Sequence, residues 1–333
     1  MGFWDTVGNT PLLLLSNLSA AIGRRVFAKA EFLNPGGSVK DRAAKFIVAA
    51  AEAAGTLQPG HTIVEGTAGN TGIALALIAN ERGYECTIVV PDDQSSEKIA
   101  LLQTFGAQVH VVPAVPFSNQ QNYYHVARRI AAETSGAIWA DQFENRANRD
   151  AHESTTGPEI WRQTDGAIDA FVASAGTGGT LAGVAAALKA RNESILTVLC
   201  DPMGSALYSY LQCGTLAFEG DSDLEGIGIK RLTANFSGAR VDRAIQIEDR
   251  GAIEMTHWLL RHEGLFVGGS SGLNVLGAVS VARELPESST VVTILCDGGA
   301  RYLSKLFNAT WLREHDVSPN AAADLNLPRS RPQ

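Results

Sequence analysis

The sequence lacks the features that mark secreted, membrane-spanning and nucleic-acid-binding proteins. Only four cysteines occur in 333 residues, and their wide spacing matches neither a metal site nor a redox motif: Cys86, Cys200, Cys213 and Cys296. The longest apolar runs, such as residues 12–15 and 47–51, are far too short to cross a bilayer. The net charge is −8, and no cluster of Lys or Arg suggests a nucleic acid or an anionic membrane as a partner.

These absences favour a protein with reduced thiols in the cytoplasm. Recognisable domain sequence begins by Val7, and we therefore expect no signal or transit peptide before it. The seven histidines are scattered along the chain. His257 and His262 stand five residues apart and would not share one face of a helix, so no metal site is predicted.

Composition and pattern together predict the fold class. With 45% hydrophobic residues and 33 glycines, the chain can form two domains with a sizeable core. Short β-branched runs alternate with helical segments, which is typical of parallel sheets covered on both faces. Strands are predicted at residues 62–65, 86–90, 109–112, 170–173, 196–200 and 290–295, and helices at 43–54, 72–83, 95–105, 122–134 and 180–191.

This order predicts an α/β protein with two domains, each holding a twisted, mainly parallel sheet covered by helices. The N-terminal domain is predicted at residues 1–145 and the C-terminal domain at 146–312, with a seam near 141–152. An early segment, about residues 12–35, is a candidate for packing with the second domain. The polar segment 313–333 contains three prolines and is predicted to be a loosely attached tail.

Lys40 is the first residue with a specific chemistry. It follows a turn of Pro and Gly in residues 34–42 (NPGGSVKDR) and stands just before the helix predicted from residue 43. The unpaired N–H groups and the positive dipole end at the start of a helix disfavour an ammonium ion. A neutral lysine amine is a nucleophile that forms a Schiff base with an aldehyde cofactor. Taken alone, a lysine at such a position is more often a solvated surface residue.

Three glycine-rich turns give this lysine a context. Residues 65–72 (EGTAGNTG) follow a strand and open a helix, so their N–H groups and hydroxyls suit an anion such as a carboxylate. Residues 174–180 (SAGTGGT) form a second turn of this type and resemble a phosphate cradle. No GK[ST] follows this turn, and Leu181 stands where a dinucleotide motif needs its third glycine. The second turn therefore favours a single phosphate.

The third turn, residues 267–272 (VGGSSG), is also predicted at a strand-to-helix transition. A serine there can hydrogen-bond a ring nitrogen or, alternatively, cap the helix. The first turn likewise has an alternative, as an ordinary connection between a strand and a helix. A lysine that forms a Schiff base, a cradle for one phosphate, an anion turn with an asparagine and this serine together make up a pyridoxal phosphate site.

At this point the chain resembles the cysteine synthases (O-acetylserine sulfhydrylases) among the fold-type II pyridoxal phosphate enzymes. The resemblance runs from about Val7 to Leu312. The matching segments are VGNTPL at 7–12, NPGGSVKDR at 34–42, GTAGNTG at 66–72, QFEN at 142–145, TTGPEIW at 155–161, GTGGT at 176–180, EGIG at 225–228 and GGSSG at 268–272. The resemblance implies a tryptophan synthase β-subunit-like fold and a homodimer.

The resemblance also implies a role for each turn. Lys40 would hold pyridoxal 5'-phosphate as a Schiff base, Asn70 would contact the ring hydroxyl, and Ser270 would face the pyridine nitrogen. The phosphate would be bound by Gly176, Thr177, Gly178, Gly179 and Thr180. The substrate carboxylate would be bound by Thr67, Ala68, Gly69, Thr71 and Gln142. The entrance would be lined by Gly226, Ile227 and Gly228.

A serine at the pyridine nitrogen also limits the chemistry. A hydroxyl does not stabilise a protonated ring as a carboxylate does, so the ring is a weaker electron sink. This favours prompt β-elimination over transamination. The implied reaction is a β-replacement that makes L-cysteine from O-acetyl-L-serine and sulfide, with Lys40 as general base for the α-proton. Closure of the smaller part of the first domain over the bound carboxylate would exclude water.

Two features depart from the family pattern. Ala68 stands where the family commonly has serine, and the lost hydrogen bond to a charged group is worth about 1.5–3 kcal/mol. The loop at residues 113–124 is rich in Pro, Asn and Gln and looks longer than in shorter members. It is as consistent with a functional lid as with surface decoration.

Three alternatives to this activity remain open. A cystathionine β-synthase-type enzyme is one, although neither a haem segment nor regulatory repeats are evident. An O-phosphoserine sulfhydrylase is another, for which Lys230 and Arg231 are the candidate phosphate ligands. The third is a weakly active protein that binds the C-terminal tail of serine acetyltransferase.

Overall fold

A computed structural model gives the fold, and it describes residues 2–67 and 69–319. Ala68 and residues 320–333, which the sequence analysis assigned to the carboxylate turn and to the tail, lie outside the described residues.

The described strands and helices alternate along most of the chain. The strands are β1 (Leu12–Leu14), β2 (Arg25–Ala30), β3 (Thr62–Gly66), β4 (Glu85–Pro91), β5 (Gln108–Val112), β6 (Ala137–Trp139), β7 (Ala170–Ala173), β8 (Leu196–Pro202), β9 (Arg243–Ile247) and β10 (Thr290–Leu295). The helices are α1 (Phe3–Thr6), α2 (Ser16–Ile22), α3 (Lys40–Ala53), α4 (Asn70–Arg82), α5 (Ser96–Thr104), α6 (Tyr123–Glu133), α7 (Ala147–Ala151), α8 (Gly157–Gln163), α9 (Gly179–Lys189), α10 (Leu207–Cys213), α11 (Asp249–His262), α12 (Gly269–Glu284) and α13 (Ala309–Glu314). A π-helical turn spans His152–Thr156, and 3-10 turns span Glu31–Leu33 and Gly299–Tyr302.

The larger sheet has six strands in the order β1-β2-β10-β7-β8-β9. All of its neighbouring strands are parallel except β1 and β2, which pair antiparallel. Every residue of β10 is buried, as expected for a β-branched run in the middle of a parallel sheet. Val292 of this strand lies opposite Phe27 of β2 and Phe171 of β7.

The smaller sheet has four parallel strands in the order β5-β4-β3-β6. In both sheets alternate residues enter separate hydrophobic clusters. Val172 packs in the cluster that includes residues of α11 and α12, whereas its neighbour Phe171 packs with residues of α9. Ile63 and Val64 of β3 divide in the same way between a cluster with α4 and a cluster with α6. Both sheets are thus covered by helices on both faces, and the predicted α/β class is confirmed.

Four described strands had no counterpart in the sequence prediction, namely β1, β2, β6 and β9. β1, β6 and β9 are edge strands of their sheets, β2 lies next to the edge strand β1, and only two of the five residues of β9 are buried. β1 and β2, at residues 12–30, belong to the six-stranded sheet and therefore pack with the later part of the chain. The domain limits at residues 145 and 312 stay a prediction.

One local expectation needs correction. The turn at residues 267–272 does not follow a strand, because Val267 makes only an isolated bridge to Gly298. The described start of the predicted tail packs on the fold, because α13 extends to Glu314 and Val317 is buried in the core of the larger sheet. Arg250 also forms an ion pair with Asp316, which fixes this segment to α11.

Candidate active site

A cavity in the larger sheet's part of the fold brings three of the sequence motifs together. It lies at the carboxyl ends of β7 and β10, where parallel sheets commonly bind ligands. The predicted site residues that line it are Lys40, Gly176, Thr177, Gly178, Thr180, Gly226 and Ile227. Among the described lining residues, Lys40 is the only lysine, arginine, aspartate or glutamate.

The turn before α3 sets the position of Lys40. The Asp41 carboxylate accepts a hydrogen bond from the Gly36 N–H at 2.5 Å, and the Val39 N–H donates to the Cys296 carbonyl at 2.8 Å. Lys40 is the first residue of α3, so its amine extends from the start of a helix into the cavity. The turn is thereby anchored to the end of β10.

The amine of Lys40 is in an environment that favours its neutral form. Burial lowers its pKa, and the ammonium of Lys98 acts in the same direction, while Cys296 and Asp297 oppose the change. The sequence analysis attributed the neutral form of the Lys40 amine to the start of the helix, whereas in the structure burial is the largest cause of its lowered pKa. The lowered pKa suits an amine that acts as a nucleophile and a base.

The second glycine turn forms one wall of the cavity. A Cβ on Gly176 would lie 2.2 Å from the carbonyl oxygen of Gly226, so only glycine lets the two loops approach. Gly178 has φ +87 and precedes α9. The N–H groups of Gly176, Thr177 and Gly178 donate to no described residue, which leaves them free for an anion at the start of the helix.

Two hydroxyls complete this cradle. The Thr177 hydroxyl accepts a hydrogen bond from Asn148 Nδ2 at 2.9 Å, and Thr180 Oγ1 lies 3.1 Å from His152 Nε2. Burial lowers the pKa of His152 to about 3, and the Arg42 guanidinium adds to this, so the ring is neutral at pH 7. The cradle therefore offers N–H groups and hydroxyls with no lysine or arginine, which fits one phosphate group.

Asn70 lies beside the cavity, where Asp297 and Arg301 fix the orientation of its amide. Its Nδ2 donates to Asp297 Oδ2 at 2.6 Å, and its Oδ1 accepts a hydrogen bond from Arg301 Nη1. The same Asp297 oxygen accepts a hydrogen bond from the Tyr302 hydroxyl at 2.6 Å. Asp297 is buried next to Cys296, which lines the cavity, so this network lies close to Lys40.

Ser270 is the second residue of α12 and is buried, and it does not cap the helix, since Gly268 is the N-cap residue. Its hydroxyl lies close enough to the Cys296 thiol to affect the pKa of that thiol. Burial raises the pKa of this thiol to about 11, so the sulfur is protonated at neutral pH. Ser270 thus lies behind Cys296, outside the residues that line the cavity.

The predicted carboxylate turn forms a network of its own, and none of its described residues lines the cavity. The Thr71 hydroxyl donates to Gln142 Oε1 at 2.5 Å, and the Thr67 hydroxyl accepts from the Gly69 N–H at 3.2 Å. Gln142 Nε2 donates to Glu65 Oε1 at 3.3 Å. Burial raises the pKa of Glu65 to about 8, so this carboxyl is mainly protonated at neutral pH.

The entrance loop, residues 225–228, contacts the phosphate cradle of residues 176–180 directly. The Gly228 N–H donates to the Ala175 carbonyl at 2.9 Å, so Gly226 and Ile227 reach the cavity while Gly228 lies behind them. Gly179 also lies behind the lining, where a Cβ would be 2.3 Å from Asn148 Oδ1.

Several residues of the site have no counterpart in the sequence prediction. Cys296 and Asp297 directly follow β10, and the end of a predicted parallel strand could have drawn attention to them. Asn274 lines the cavity from within α12 and accepts a hydrogen bond from the Ser174 N–H at 2.7 Å. His152 and Arg301 lie on short π-helical and 3-10 turns, and no sequence pattern marked either one.

The described residues contain no group of His, Cys, Asp and Glu side chains arranged to hold a metal ion. Across the same part of the chain, no helix combines the length and apolar character needed to cross a membrane.

Comparisons with known proteins agree with this geometry. The family described as "Pyridoxal-phosphate dependent enzyme" matches residues 3–297. Cysteine synthase 1 of Emericella nidulans is 51% identical over 316 residues, which cover 93% of this chain and 85% of that protein.

Two solved structures are similar over most of their length. The crystal structure of an O-ureido-L-serine synthase superposes with a TM-score of 0.85 at 35% identity and covers 92% of this chain and 95% of its own. That of an O-acetylserine dependent cystathionine beta-synthase from Helicobacter pylori gives a TM-score of 0.82 at 35% identity, with 92% and 97% covered.

Proposed function

The chain belongs to the pyridoxal-phosphate dependent enzymes and, among them, to the cysteine synthases, and on that premise we propose that it makes L-cysteine from O-acetyl-L-serine and sulfide. The observation that carries the proposal is a cavity lined both by Lys40 and by the Gly176–Gly178 turn, whose N–H groups donate to no described residue. A nucleophilic amine and a cradle for one phosphate in the same cavity are what pyridoxal phosphate requires.

The residues present fit this cofactor. Lys40 would hold it covalently, the turn at residues 176–180 would bind its phosphate, and Asn70 would approach its ring oxygen with the second hydrogen of Nδ2. Ser270 would lie on the side of the ring nitrogen. When bound, pyridoxal phosphate withdraws electrons from the α-carbon of an attached amino acid and acidifies its α-proton.

Lys40 is the residue that moves protons. Its lowered pKa leaves a larger share of the amine neutral and able to remove the α-proton of the substrate as a general base. Acetate then leaves the β-carbon as the C–O bond breaks, and sulfide forms the new C–S bond at the same carbon. The Lys40 ammonium returns the proton to the α-carbon, so the amine is regenerated at the end of the cycle.

Thr67, Gly69, Thr71 and Gln142 would bind the substrate carboxylate through N–H, hydroxyl and amide groups. The Thr71–Gln142 hydrogen bond at 2.5 Å joins α4 to the segment after β6, so the groups are held in one place before the substrate binds. Gly226 and Ile227 would exclude water from the side of the entrance, because they already pack against the cradle.

The arginine and lysine that a phosphoserine substrate would need are engaged elsewhere. Arg231 pairs with Glu144 and lies over the rings of Phe117 and Phe143 at 4.6 and 5.0 Å. Lys230 pairs with Asp221 at 3.5 Å. These contacts favour O-acetylserine, whose acetyl ester carries no charge until it leaves as acetate. The second candidate is a cystathionine β-synthase-type reaction, which the likeness to the Helicobacter pylori enzyme favours.

The expected partners and compartment stay predictions. A homodimer, binding of a serine acetyltransferase tail and a cytoplasmic location follow from the resemblance and the composition. The free thiols of Cys86, Cys200, Cys213 and Cys296 support a reducing compartment.

The test is a visible absorption titration of the purified holoenzyme with O-acetylserine, O-phosphoserine and serine, followed by steady-state rates with sulfide and with homocysteine. We expect the highest kcat/KM with O-acetylserine and sulfide. A preference for serine and homocysteine would contradict the proposal. The Lys40→Ala variant should bind the cofactor without the yellow Schiff-base absorption.

A further inference from the structure

Lys98 lies underneath the turn that is proposed to bind the substrate carboxylate. It belongs to α5 and is only 2% exposed, although its side chain is long and charged. A Cβ on Gly69 would lie 2.6 Å from Lys98 Cδ and 3.2 Å from Lys98 Cβ. The methylene stem therefore fills the space that the missing side chain of Gly69 leaves, and the turn rests on it.

The opposite end of the Lys98 side chain is fixed on the entrance loop. Its Nζ lies 2.6 Å from Glu225 Oε2 and 4.5 Å from the ring centroid of Tyr302. Glu225 directly precedes Gly226 and Ile227, which line the cavity. The buried Lys98 side chain thus connects the carboxylate turn, which follows β3 of the smaller sheet, to the entrance loop, which lies between β8 and β9 of the larger sheet.

Lys305 offers a matched comparison. Its Nζ lies 2.7 Å from Glu225 Oε1, so it pairs with the other oxygen of the same carboxylate at nearly the same distance. Its second contact is the Asp93 carbonyl at 3.1 Å, and no contact joins its described side chain to Gly69. The methylene stem of Lys98 thus contacts Gly69 and that of Lys305 does not, whereas the amines of both lysines pair with Glu225.

The start of α5 is itself anchored to the segment that carries Lys305. The Ser95 hydroxyl donates to the Arg301 carbonyl at 3.1 Å, and Glu97 Oε1 accepts a hydrogen bond from the Ser304 N–H at 2.7 Å. These contacts hold the α5 backbone, so removal of the Lys98 amine alone would release its stem without detaching the helix.

We propose that Lys98 is a positioning residue for the amino-acid substrate: its stem supports Gly69, and its ion pair with Glu225 holds that stem in place. This proposal rests on the proposed function only in taking Thr67, Gly69 and Thr71 as part of the carboxylate site. Substrate recognition would then depend on a residue that touches neither the substrate nor the cofactor. It would also be coupled to the position of the entrance loop.

Three variants of the holoenzyme separate the stem from the charge. Lys98→Met keeps most of the stem and loses the ion pair, Lys98→Ala loses both, and Lys305→Met loses the other ion pair of Glu225 together with the hydrogen bond to the Asp93 carbonyl. The readout is the apparent Kd of L-serine, which carries the carboxylate without a good leaving group, from titration of the visible absorption of the bound cofactor. The readout therefore needs no turnover, so it remains usable if the substrate proposed for the enzyme is wrong.

We expect the apparent Kd to rise about tenfold in Lys98→Met and further in Lys98→Ala, a size typical of coupling between neighbouring sites. It should stay within about twofold of the unmodified protein in Lys305→Met, by the same measure of coupling. In turnover with O-acetylserine, the variants at Lys98 should raise KM, and a change in kcat that comes from the lost charge near Lys40 should be the same in Lys98→Met and Lys98→Ala, because both lack that charge. Equal shifts in Lys98→Met and Lys305→Met, or an unchanged Kd in Lys98→Ala, would overturn the proposal.

Discussion

His152 Nε2 lies 3.1 Å from the Thr180 hydroxyl, which joins a buried ring to the wall of the phosphate cradle. The other ring nitrogen lies 2.9 Å from Thr156 Oγ1. A neutral imidazole has one N–H donor and one acceptor, so it donates to one of these hydroxyls and accepts from the other. The ring therefore fixes how the Thr180 hydroxyl points toward a bound phosphate.

Removal of this ring should weaken binding of the cofactor. We expect His152→Ala to raise the Kd of pyridoxal phosphate about tenfold, which corresponds to the loss of one hydrogen bond that orients a donor to a charged group. His152→Gln keeps an amide that can contact Thr180 and should lose less. Fluorescence titration of the apoenzyme with the cofactor measures both. An unchanged Kd in His152→Ala would show that Thr180 is oriented without the ring.

The same histidine should make stability depend on pH. Burial lowers its pKa from 6.5 to about 3, so below pH 6.5 the unfolded chain binds a proton that the folded chain does not. The stabilising contribution of the neutral ring is complete above pH 6.5 and declines as the pH falls toward 3, by up to about 1.4 kcal/mol per pH unit.

The difference in the free energy of unfolding between the unmodified protein and His152→Gln should therefore shrink as the pH falls from 7 to 5. Urea unfolding at pH 7, 6 and 5 measures it for both proteins. Glutamine does not titrate, so a difference that stays constant across this range would contradict the lowered pKa.

Asp297, which lies close to Lys40, offers a test of the charge around the Lys40 amine. Its Oδ2 accepts hydrogen bonds from Asn70 and Tyr302, and its charge opposes the lowered pKa of Lys40. Asp297→Asn removes that charge and places an amide against the amide of Asn70. We expect the pH at which the Schiff-base absorption titrates to fall, and cofactor affinity to drop.

Tyr302→Phe is the matched control for Asp297→Asn, because it removes one hydrogen bond and keeps the charge. The pH titration of its absorption should follow that of the unmodified protein. A common shift in both variants would assign the effect to packing and not to the charge of Asp297.

The sequence predicted those parts of the site that depend on local backbone geometry. Lys40 and the turn at residues 174–180 could be found because a glycine turn at the start of a helix exposes N–H groups wherever it occurs. The strand of residues 290–295 could be found because β-branched residues dominate it. Asn274 and Arg301 could not, because their roles depend on which chain segments meet in space, and residues 231 positions apart, such as Asn70 and Arg301, leave no local pattern.

The sequence also did not reveal how much the segment of residues 34–42 contributes to the stability of the fold. Arg42 was predicted only as part of a matching segment, yet its guanidinium is 1% exposed and pairs with Glu31 and Glu159 at 2.7 Å each. Lys29 joins the same cluster through Glu159 at 2.7 Å. The cluster therefore ties the segment before α3 to α8.

Replacement of Arg42 should strongly destabilise the fold. Arg42→Met leaves Glu31 buried without its charge partner, and loss of one partner of a buried pair costs about 3–5 kcal/mol. Arg240→Met removes an exposed ion pair with Glu193 and should change stability by no more than about 1 kcal/mol. Urea unfolding at pH 7 compares the two. Similar midpoints would show that Glu31 finds another way to be neutralised.

Arg231 contacts the loop of residues 113–122, which precedes α6. The guanidinium lies 4.6 Å from the ring centroid of Phe117 on this loop and 5.1 Å from that of Tyr124, and it also pairs with Glu144. The exposed Phe117 ring also contacts the rings of Tyr124 and His125, and the Phe117 carbonyl lies 2.7 Å from His125 Nε2. Arg231→Met should therefore raise the rate of chymotrypsin cleavage after Phe117 roughly fivefold, given about 1 kcal/mol for a cation–π contact.

Lys230→Met is the control, because it removes the neighbouring charge, which lies over Phe218. This variant should be cleaved at the rate of the unmodified protein. Equal rates in all three proteins, with the cut located by mass spectrometry, would show that the loop is held by its own hydrogen bonds, such as the one from Asn122 Nδ2 to the Val115 carbonyl at 2.6 Å.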